Sequence, residues 1–161
     1  LGAIVNQLNY ERISLAAPGT IERPYQDVLR WAQETKLADG RRVIDQEWVQ
    51  VHIARVHAKV EALRLINWKS LWATTIGAVS PADSSATKVY GTNFYCEAYT
   101  LLLEVLGSAG ILQKDSPGAV LAGKLERSYR GVIILTFCGG VNEVQRALLA
   151  MFGLKMPRPL R

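Results

Sequence analysis

A chain of 161 residues, 49% hydrophobic and 20% charged, has the length and composition of one globular domain with its own core, which excludes disorder. Its net charge of +5 is scattered among acidic residues, with only Lys155, Arg158 and Arg161 gathered in a proline-containing tail; this excludes a nucleic-acid footprint and suits solubility or a phosphorylated ligand. Cys96 and Cys138 lack Cys-x-x-Cys spacing, which indicates neither a zinc site nor a disulfide framework and suits a reducing cytoplasm. No apolar run reaches the roughly 18 residues of a membrane span. The N-terminus lacks the basic region and cleavage site of a signal peptide, and a start at Leu1 inside a helical pattern is expected of a piece of a longer chain.

In chain order, residues 3 to 36 read as helix interrupted around Pro18-Gly19 and Pro24, because an interior proline removes a hydrogen bond and forces a kink or break. Residues 37 to 42 read as a turn. From Asp45, an N-cap residue type, apolar residues recur at Val49, Ile53, Val56, Val60 and Leu63 in steps of four and three, which predicts a helix to about Ile76 with one buried face. Trp48, Trp68 and Trp72 on this helix are expected to pack rather than to cage a ligand. His52 and His57 stand about 140° apart around it, so they cannot share a metal, and solvated or interface positions are expected for both.

Ser80-Pro81 supplies an N-cap and first-turn proline for the next helix, with Ala86, Tyr90, Phe94, Leu101 and Val105 expected inside and Gly107 ending it. Residues 107 to 118 read as loop. A fourth helix is predicted over about 119 to 136, and its Val132-Ile133-Ile134-Leu135 run should be buried all round or lie at a subunit contact. The fifth begins near Asn142 and stops at Gly153 as a left-handed cap. No strand alternation competes and no repeat is present, which predicts an all-α antiparallel bundle of four to five helices, one domain over residues 1 to 161.

The chemistry concentrates in Phe137-Cys138-Gly139-Gly140-Val141-Asn142-Glu143-Val144-Gln145-Arg146. A glycine pair that lets the backbone turn and approach a ligand, followed at once by a helix start, suits a flavin or phosphate site. Spacing alone goes no further. The segment resembles the C-terminal signature of acyl-CoA dehydrogenases, in which a Tyr-Glu-Gly-Thr-type turn leads into a helix reading Glu-Ile-Gln-Arg. Many members carry their catalytic glutamate in that turn, and the matching position here is Gly139. A second segment, Gln7-Leu8-Asn9-Tyr10-Glu11-Arg12-Ile13-Ser14-Leu15-Ala16-Ala17, resembles the first long helix of the family's C-terminal domain, where the isovaleryl-CoA and long-chain branches place their base in a Glu-Arg pair. Those branches have a small residue in the turn, so the two departures compensate each other.

The resemblance covers essentially the whole chain, as the C-terminal third of a full member without its N-terminal helical and middle β domains. It implies an FAD-dependent oxidoreductase that dehydrogenates an acyl-CoA thioester between its α and β carbons, with Glu11 as base and an electron-transfer flavoprotein as acceptor. By residues alone, Glu11-Arg12 reads as a solvated pair. The family implies that Arg12 helps fix the coenzyme A moiety or the helix, and a surface salt bridge explains it equally. Thr136, Gly139 and Gly140 stand where the family meets its flavin, with Gly139 also against the substrate. Glu104-Val105-Leu106-Gly107-Ser108-Ala109-Gly110 resembles a Gln-x-x-Gly-Gly-x-Gly segment that meets the adenine-diphosphate of a neighbouring subunit's flavin; a helix cap and a turn account for Gly107 and Gly110 as well.

Three departures weaken flavin contacts. Glu104 replaces the glutamine and brings like charge toward a pyrophosphate. Residues 31 to 44 lack the family's Arg-x-x-Phe-Gly motif. Val141 replaces a capping threonine or serine. Cys138 has no basic neighbour to activate it and is expected to be small and buried. Residues 136 to 144 and 153 to 158 are similar to actinobacterial enzymes of sterol side-chain degradation, heteromers such as heterotetramers of two unlike subunits, which implies a steroid side-chain CoA ester and an unlike partner. A homo-oligomer, or a catalytically silent helical partner subunit, is the alternative.

Overall fold

The computed structural model describes residues 2–157, with side chains from residue 7 onward, so Arg158 and Arg161 of the basic tail lie outside the described residues. The protein is all-helical: α1 (Gly2–Ser14), α2 (Gly19–Glu34), α3 (Glu47–Thr75), α4 (Pro81–Leu106), α5 (Lys124–Val132) and α6 (Asn142–Leu148). Among the described residues no strand forms beyond a single antiparallel bridge between Lys36 and Arg42, and no helix is long and apolar enough to cross a membrane. The chain divides into two compact units. One comprises the chain up to Pro18, Ala62–Asn93 and everything from Ile133 on; the other comprises Gly19–Glu61 and Phe94–Val132.

In the second of these units, α2 buries Ile21, Tyr25, Val28 and Ala32, a run of helical steps that makes one apolar face. Val49, Ile53, Val56 and Val60 are buried as their spacing predicts. Pro24 does not break the helix: α2 runs through it. A proline at this position leaves the carbonyl four residues earlier, that of Thr20, without its helical donor. The hydroxyl of Tyr99 donates to that oxygen at 3.1 Å, so the loss is made good from α4. The predicted N-cap at Asp45 is also corrected. Asp45 closes a short 3-10 turn (Val43–Asp45) and accepts from the backbone N–H of Arg42 at 2.9 Å, while α3 begins two residues later.

In both units α3 and α4 run antiparallel. His52 pairs with Glu104 at 2.6 Å and Lys59 with Glu97 in one; Ser70 meets Thr87 at 3.2 Å and Lys69 meets Asp83 at 3.1 Å in the other. His52 is therefore hydrogen-bonded to Glu104 rather than a solvated ring, and His57 stacks on Tyr25 with centroids 5.9 Å apart.

The fourth helix is shorter than its sequence suggests. Leu121 and Ala122 take left-handed backbone angles (φ 51° and 54°) ahead of Gly123, which costs roughly 1–2 kcal/mol per non-glycine residue and holds helix off until Lys124. After Val132 the chain tightens into a 3-10 turn, Ile133–Thr136. The predicted all-round burial fails there, since Val132 is buried but Ile134 is 61% exposed. The tryptophans of α3 likewise point outward, Trp68 at 61% and Trp72 at 63%, and Trp48 is exposed too. Gly153 is not left-handed; Lys155 is, at φ 55°, and Gly153 instead lets the chain pass Ala82, whose Cβ would lie 3.3 Å from an added methyl.

Ser80 caps α4, its Oγ accepting from the N–H of Asp83 at 3.0 Å, and Gly107 (φ 62°) ends it. Phe94 and Val105 are buried as expected, whereas Ala86, Tyr90 and Leu101 are half-buried. The first half of α4 buries polar residues instead: Ser84, Ser85, Thr87, Lys88 and Thr92.

Candidate functional site

Glu11 and Arg12 sit in the last turn of α1, whose end is fixed by close packing and a cap. Ala16 is fully buried beneath Gly91 of α4, where any Cβ would fall 2.5 Å from that of Ala16; only glycine admits this approach. Asn67 of α3 then donates to the carbonyl of Ala16 at 2.9 Å, satisfying an oxygen that the helix end leaves open.

Facing this helix end is the turn that joins the 3-10 segment to α6. Gly139 (φ 65°) and Gly140 (φ 92°) are both left-handed, which is why two glycines stand here. Arg12 is 8% exposed, so the surface salt bridge is excluded. Its Nε donates to the carbonyl of Gly139 at 3.2 Å and its guanidinium to Asn9 Oδ1 at 3.2 Å. Burial draws its pKa down, and Glu11 partly restores it. Arg12 thus ties α1 to the turn.

Glu11 is exposed, and it points to the same place. A Cβ built on Gly139 would lie 3.0 Å from Leu15 Cδ1, 3.6 Å from Arg12 Cγ and 3.9 Å from Oε1 of Glu11. Positions 11 and 139, linked in sequence only by the resemblance, are neighbours in space. Thr136 enters through its backbone: its carbonyl accepts from Lys88 at 2.9 Å, while its hydroxyl donates to the carbonyl of Ile133 at 2.8 Å. Val141 stands at the N-cap of α6 and offers no side-chain cap. Cys138 is half-buried rather than buried.

Gly107 and Gly110 belong to the other unit. Gly107 is open, with nothing within 4 Å of an added Cβ, whereas a Cβ on Gly110 would meet Leu106 at 2.7 Å. Thr100, Leu103, Glu104, Gly107, Ile111 and Tyr129 line a groove there of about 370 Å³. Glu104 at its edge is paired with His52. In the segment without the arginine motif, Arg41 pairs with Asp39 and Arg42 with Asp45, each at 2.7 Å; each pairing raises the arginine's pKa and lowers its partner's. Both guanidinium groups are committed locally.

Lys88, Asn142 and Gln145, which hold the turn from behind, escaped sequence reasoning. Their one visible signal is Ser84, Lys88 and Thr92 recurring every four residues, a pattern that reads as a solvent face.

A model of the family described as acyl-CoA dehydrogenase, C-terminal domain, matches residues 1–154. Acyl-CoA dehydrogenase FadE26 of Mycobacterium tuberculosis is 52% identical over 161 residues, covering 98% of this chain and 40% of that protein. Among solved structures, the ChsE4-ChsE5 complex from Mycobacterium tuberculosis contains a chain with a TM-score of 0.87 at 53% identity, covering 98% of this chain and 40% of that one. The Tcur3481-Tcur3483 steroid ACAD contains another with a TM-score of 0.86 at 45% identity, covering 95% and 38%. This chain therefore spans about two fifths of the length of the relatives it matches.

Proposed function

The chain belongs to the acyl-CoA dehydrogenase family, as its C-terminal helical domain, and on that premise we propose that the full-length protein dehydrogenates an acyl-CoA thioester with Glu11 as base. The observation that carries the proposal is the convergence of Glu11 Oε1 on the spot that a side chain at Gly139 would enter, 3.9 Å away. A carboxylate there takes the proton from the α carbon as the hydride leaves the β carbon and the double bond forms between them. Efficient abstraction needs the carboxylate in apolar surroundings that bring its pKa toward working pH. Glu11 is exposed in this chain, so that enclosure falls to the bound acyl group and the rest of the full-length protein. Arg12, spent on Gly139 and Asn9, orients the base and its turn rather than holding coenzyme A.

Bound FAD would supply the hydride acceptor. As the resemblance implies, the groove beside Gly107, lined by Leu103, Ile111 and Tyr129, would meet the adenine end of a neighbouring subunit's flavin, where the open glycine permits close approach of the backbone. No cation lines that groove, and Arg41 and Arg42 are paired elsewhere, so the pyrophosphate charge has to be met by another subunit. A heteromer with an unlike acyl-CoA dehydrogenase subunit carrying the missing arginine meets that need, and the kinship with the heteromeric steroid ACAD supports it. A steroid side-chain CoA ester is the substrate class proposed, and an electron-transfer flavoprotein the acceptor.

The test is anaerobic mixing of the co-expressed full-length complex with a sterol side-chain CoA thioester, following loss of flavin absorbance. Glu11→Gln should slow flavin reduction by roughly 10²-fold or more. A near-normal rate in that variant would leave this chain as a silent helical partner.

A further inference from the structure

A lysine excluded from solvent holds the 136–140 turn in place. Lys88 on α4 is 0% exposed, and its ammonium donates to three oxygens: the carbonyls of Thr136 and Gly140, each at 2.9 Å, and Oδ1 of Asn142 at 2.6 Å. An ammonium has three donors and no acceptor, so this set is complete. None of the three acceptors is a carboxylate. Burying a charge without a counter-ion in contact is costly, and a methionine of similar length would fill the same volume without that cost. Core packing therefore does not account for a lysine here.

The acceptors indicate what does. Thr136 and Gly140 are the two ends of the turn, and Asn142 is the first residue of α6. Asn142 is anchored in turn, its Nδ2 donating to Asn93 Oδ1 at 2.8 Å and to Thr92 Oγ1 at 3.1 Å. The carbonyl between the two ends, that of Gly139, takes Arg12 Nε and Gln145 Nε2, each at 3.2 Å. Gln145, fully buried, accepts from Ser85 Oγ at 2.9 Å. The turn's carbonyls at 136, 139 and 140 are thus all drawn inward by side chains of α1, α4 and α6. Burial lowers the pKa of Lys88, while Cys138 within the turn and Glu143 just after it draw it back up.

We propose that Lys88 is a positioning residue, whose ammonium staples the two ends of the 136–140 turn so that Gly139 stays against α1 and keeps open the space that Glu11 addresses. The catalytic part of this inference rests on the acyl-CoA dehydrogenase reading above; the stapling itself does not. A merely structural lysine would affect stability alone. A positioning lysine moves the reacting geometry, and a misplacement of about 1 Å can cost roughly 10²-fold in rate.

Lys88→Met and Lys88→Gln in the full-length, co-expressed complex test this by two independent readouts. Hydrogen–deuterium exchange should accelerate at least tenfold in the peptide spanning 136–142 and stay unchanged in α2. Flavin reduction by a sterol side-chain CoA thioester, normalised to bound flavin, should show kcat down 10- to 100-fold with KM within threefold. Unchanged exchange over 136–142 overturns the proposal, as does a normal kcat alongside accelerated exchange. If the unmodified complex reduces no flavin, the reaction assignment falls while exchange still decides the staple. Lys88→Gln, which retains a donor, decides if Lys88→Met does not fold; failure of both to fold overturns positioning in favour of a fold-stability role.

Discussion

Gly139 and Gly140 are adjacent and both left-handed, yet replacing each by alanine should fail in a different way. At Gly139, φ 65° lies in the ordinary left-handed well, which costs an alanine roughly 1–2 kcal/mol. The closest atom to its methyl is Leu15 Cδ1 at 3.0 Å, the far end of a flexible side chain that can shift. At Gly140, φ 92° is outside that well, which costs roughly 1–3 kcal/mol. The new methyl would also collide with Nε2 of Gln145, an amide held at full burial by its bonds to Gly139 and Ser85. Displacing it strands buried polar atoms, for roughly 1–3 kcal/mol more. Gly140→Ala should therefore be less stable than Gly139→Ala by roughly 2 kcal/mol, up to about 30-fold in the unfolding equilibrium. Activity should rank the other way per folded molecule, because the methyl on Gly139 projects toward the Glu11 carboxylate and into the space proposed for the α carbon. Denaturant unfolding followed by circular dichroism, paired with flavin reduction per bound flavin, reads both quantities. If Gly139→Ala proves the less stable of the two, the assignment of Gly140 to the frame and Gly139 to the site is wrong.

Burial pushes the Tyr95 hydroxyl up to about 12 from its ordinary 10.0, so the protonated phenol contributes stability below about pH 10 that is lost as pH rises through 12; an alkaline titration of stability should steepen in that window, and Tyr95→Phe should remove the extra slope. Ile133→Ser/Ile134→Ser should leave the circular dichroism of this largely exposed segment unchanged but weaken capture of the unlike subunit on co-purification, since side chains buried at a contact contribute roughly 1.5–3 kcal/mol each; equal capture would exclude the segment from the interface. Glu104→Gln should raise flavin retention roughly two- to fivefold, the scale of a surface charge interaction, measured as flavin-to-protein ratio after gel filtration of the complex; lower retention would mean the carboxylate is not opposed to the pyrophosphate.

The parts of the fold legible in the sequence are those where one physical effect acts alone. Val49, Ile53, Val56, Val60 and Leu63 are buried because apolar burial at helical spacing has no competitor on that face. Legibility ends where tertiary partners answer a local defect. Pro24 reads as a break, and the Tyr99 hydroxyl on the carbonyl of Thr20 offsets the helical bond it removes. Residues 119 to 123 read as helix, but a Cβ on Gly123 would meet the backbone of Gln113 and Lys114, and that close approach fixes a left-handed path local propensity does not foresee. Trp68 and Trp72 share a helix with the apolar stripe and so read as packing residues, yet they are exposed in this chain. The first half of α4 inverts the usual rule, since Ser85, Lys88 and Thr92 are buried to serve acceptors more than 40 residues away in sequence. Of the candidate site, Glu11 was legible only through two motifs read together; nothing in its own turn of helix separates it from a solvated acid.

The buried polar frame also bears on the proposed placement of the base at Glu11, where the resemblance implies that other members carry theirs in the turn. A side chain at position 139 would meet Glu11, and the atoms that fix that spot are backbone atoms: the carbonyl of Gly139 under Arg12 and Gln145, and the turn ends under Lys88. None of these bonds involves the side chain at either position. A glutamate added at 139 would inherit the supported turn, and the glutamate at 11 inherits an α1 end fixed by Ala16 beneath Gly91 and by Asn67. If Glu11 is the base, as proposed, its location is separable from the precision with which it is held. On that proposal, preorganisation lies in backbone bonds to buried donors, and these would support a carboxylate placed in the turn or on the helix alike.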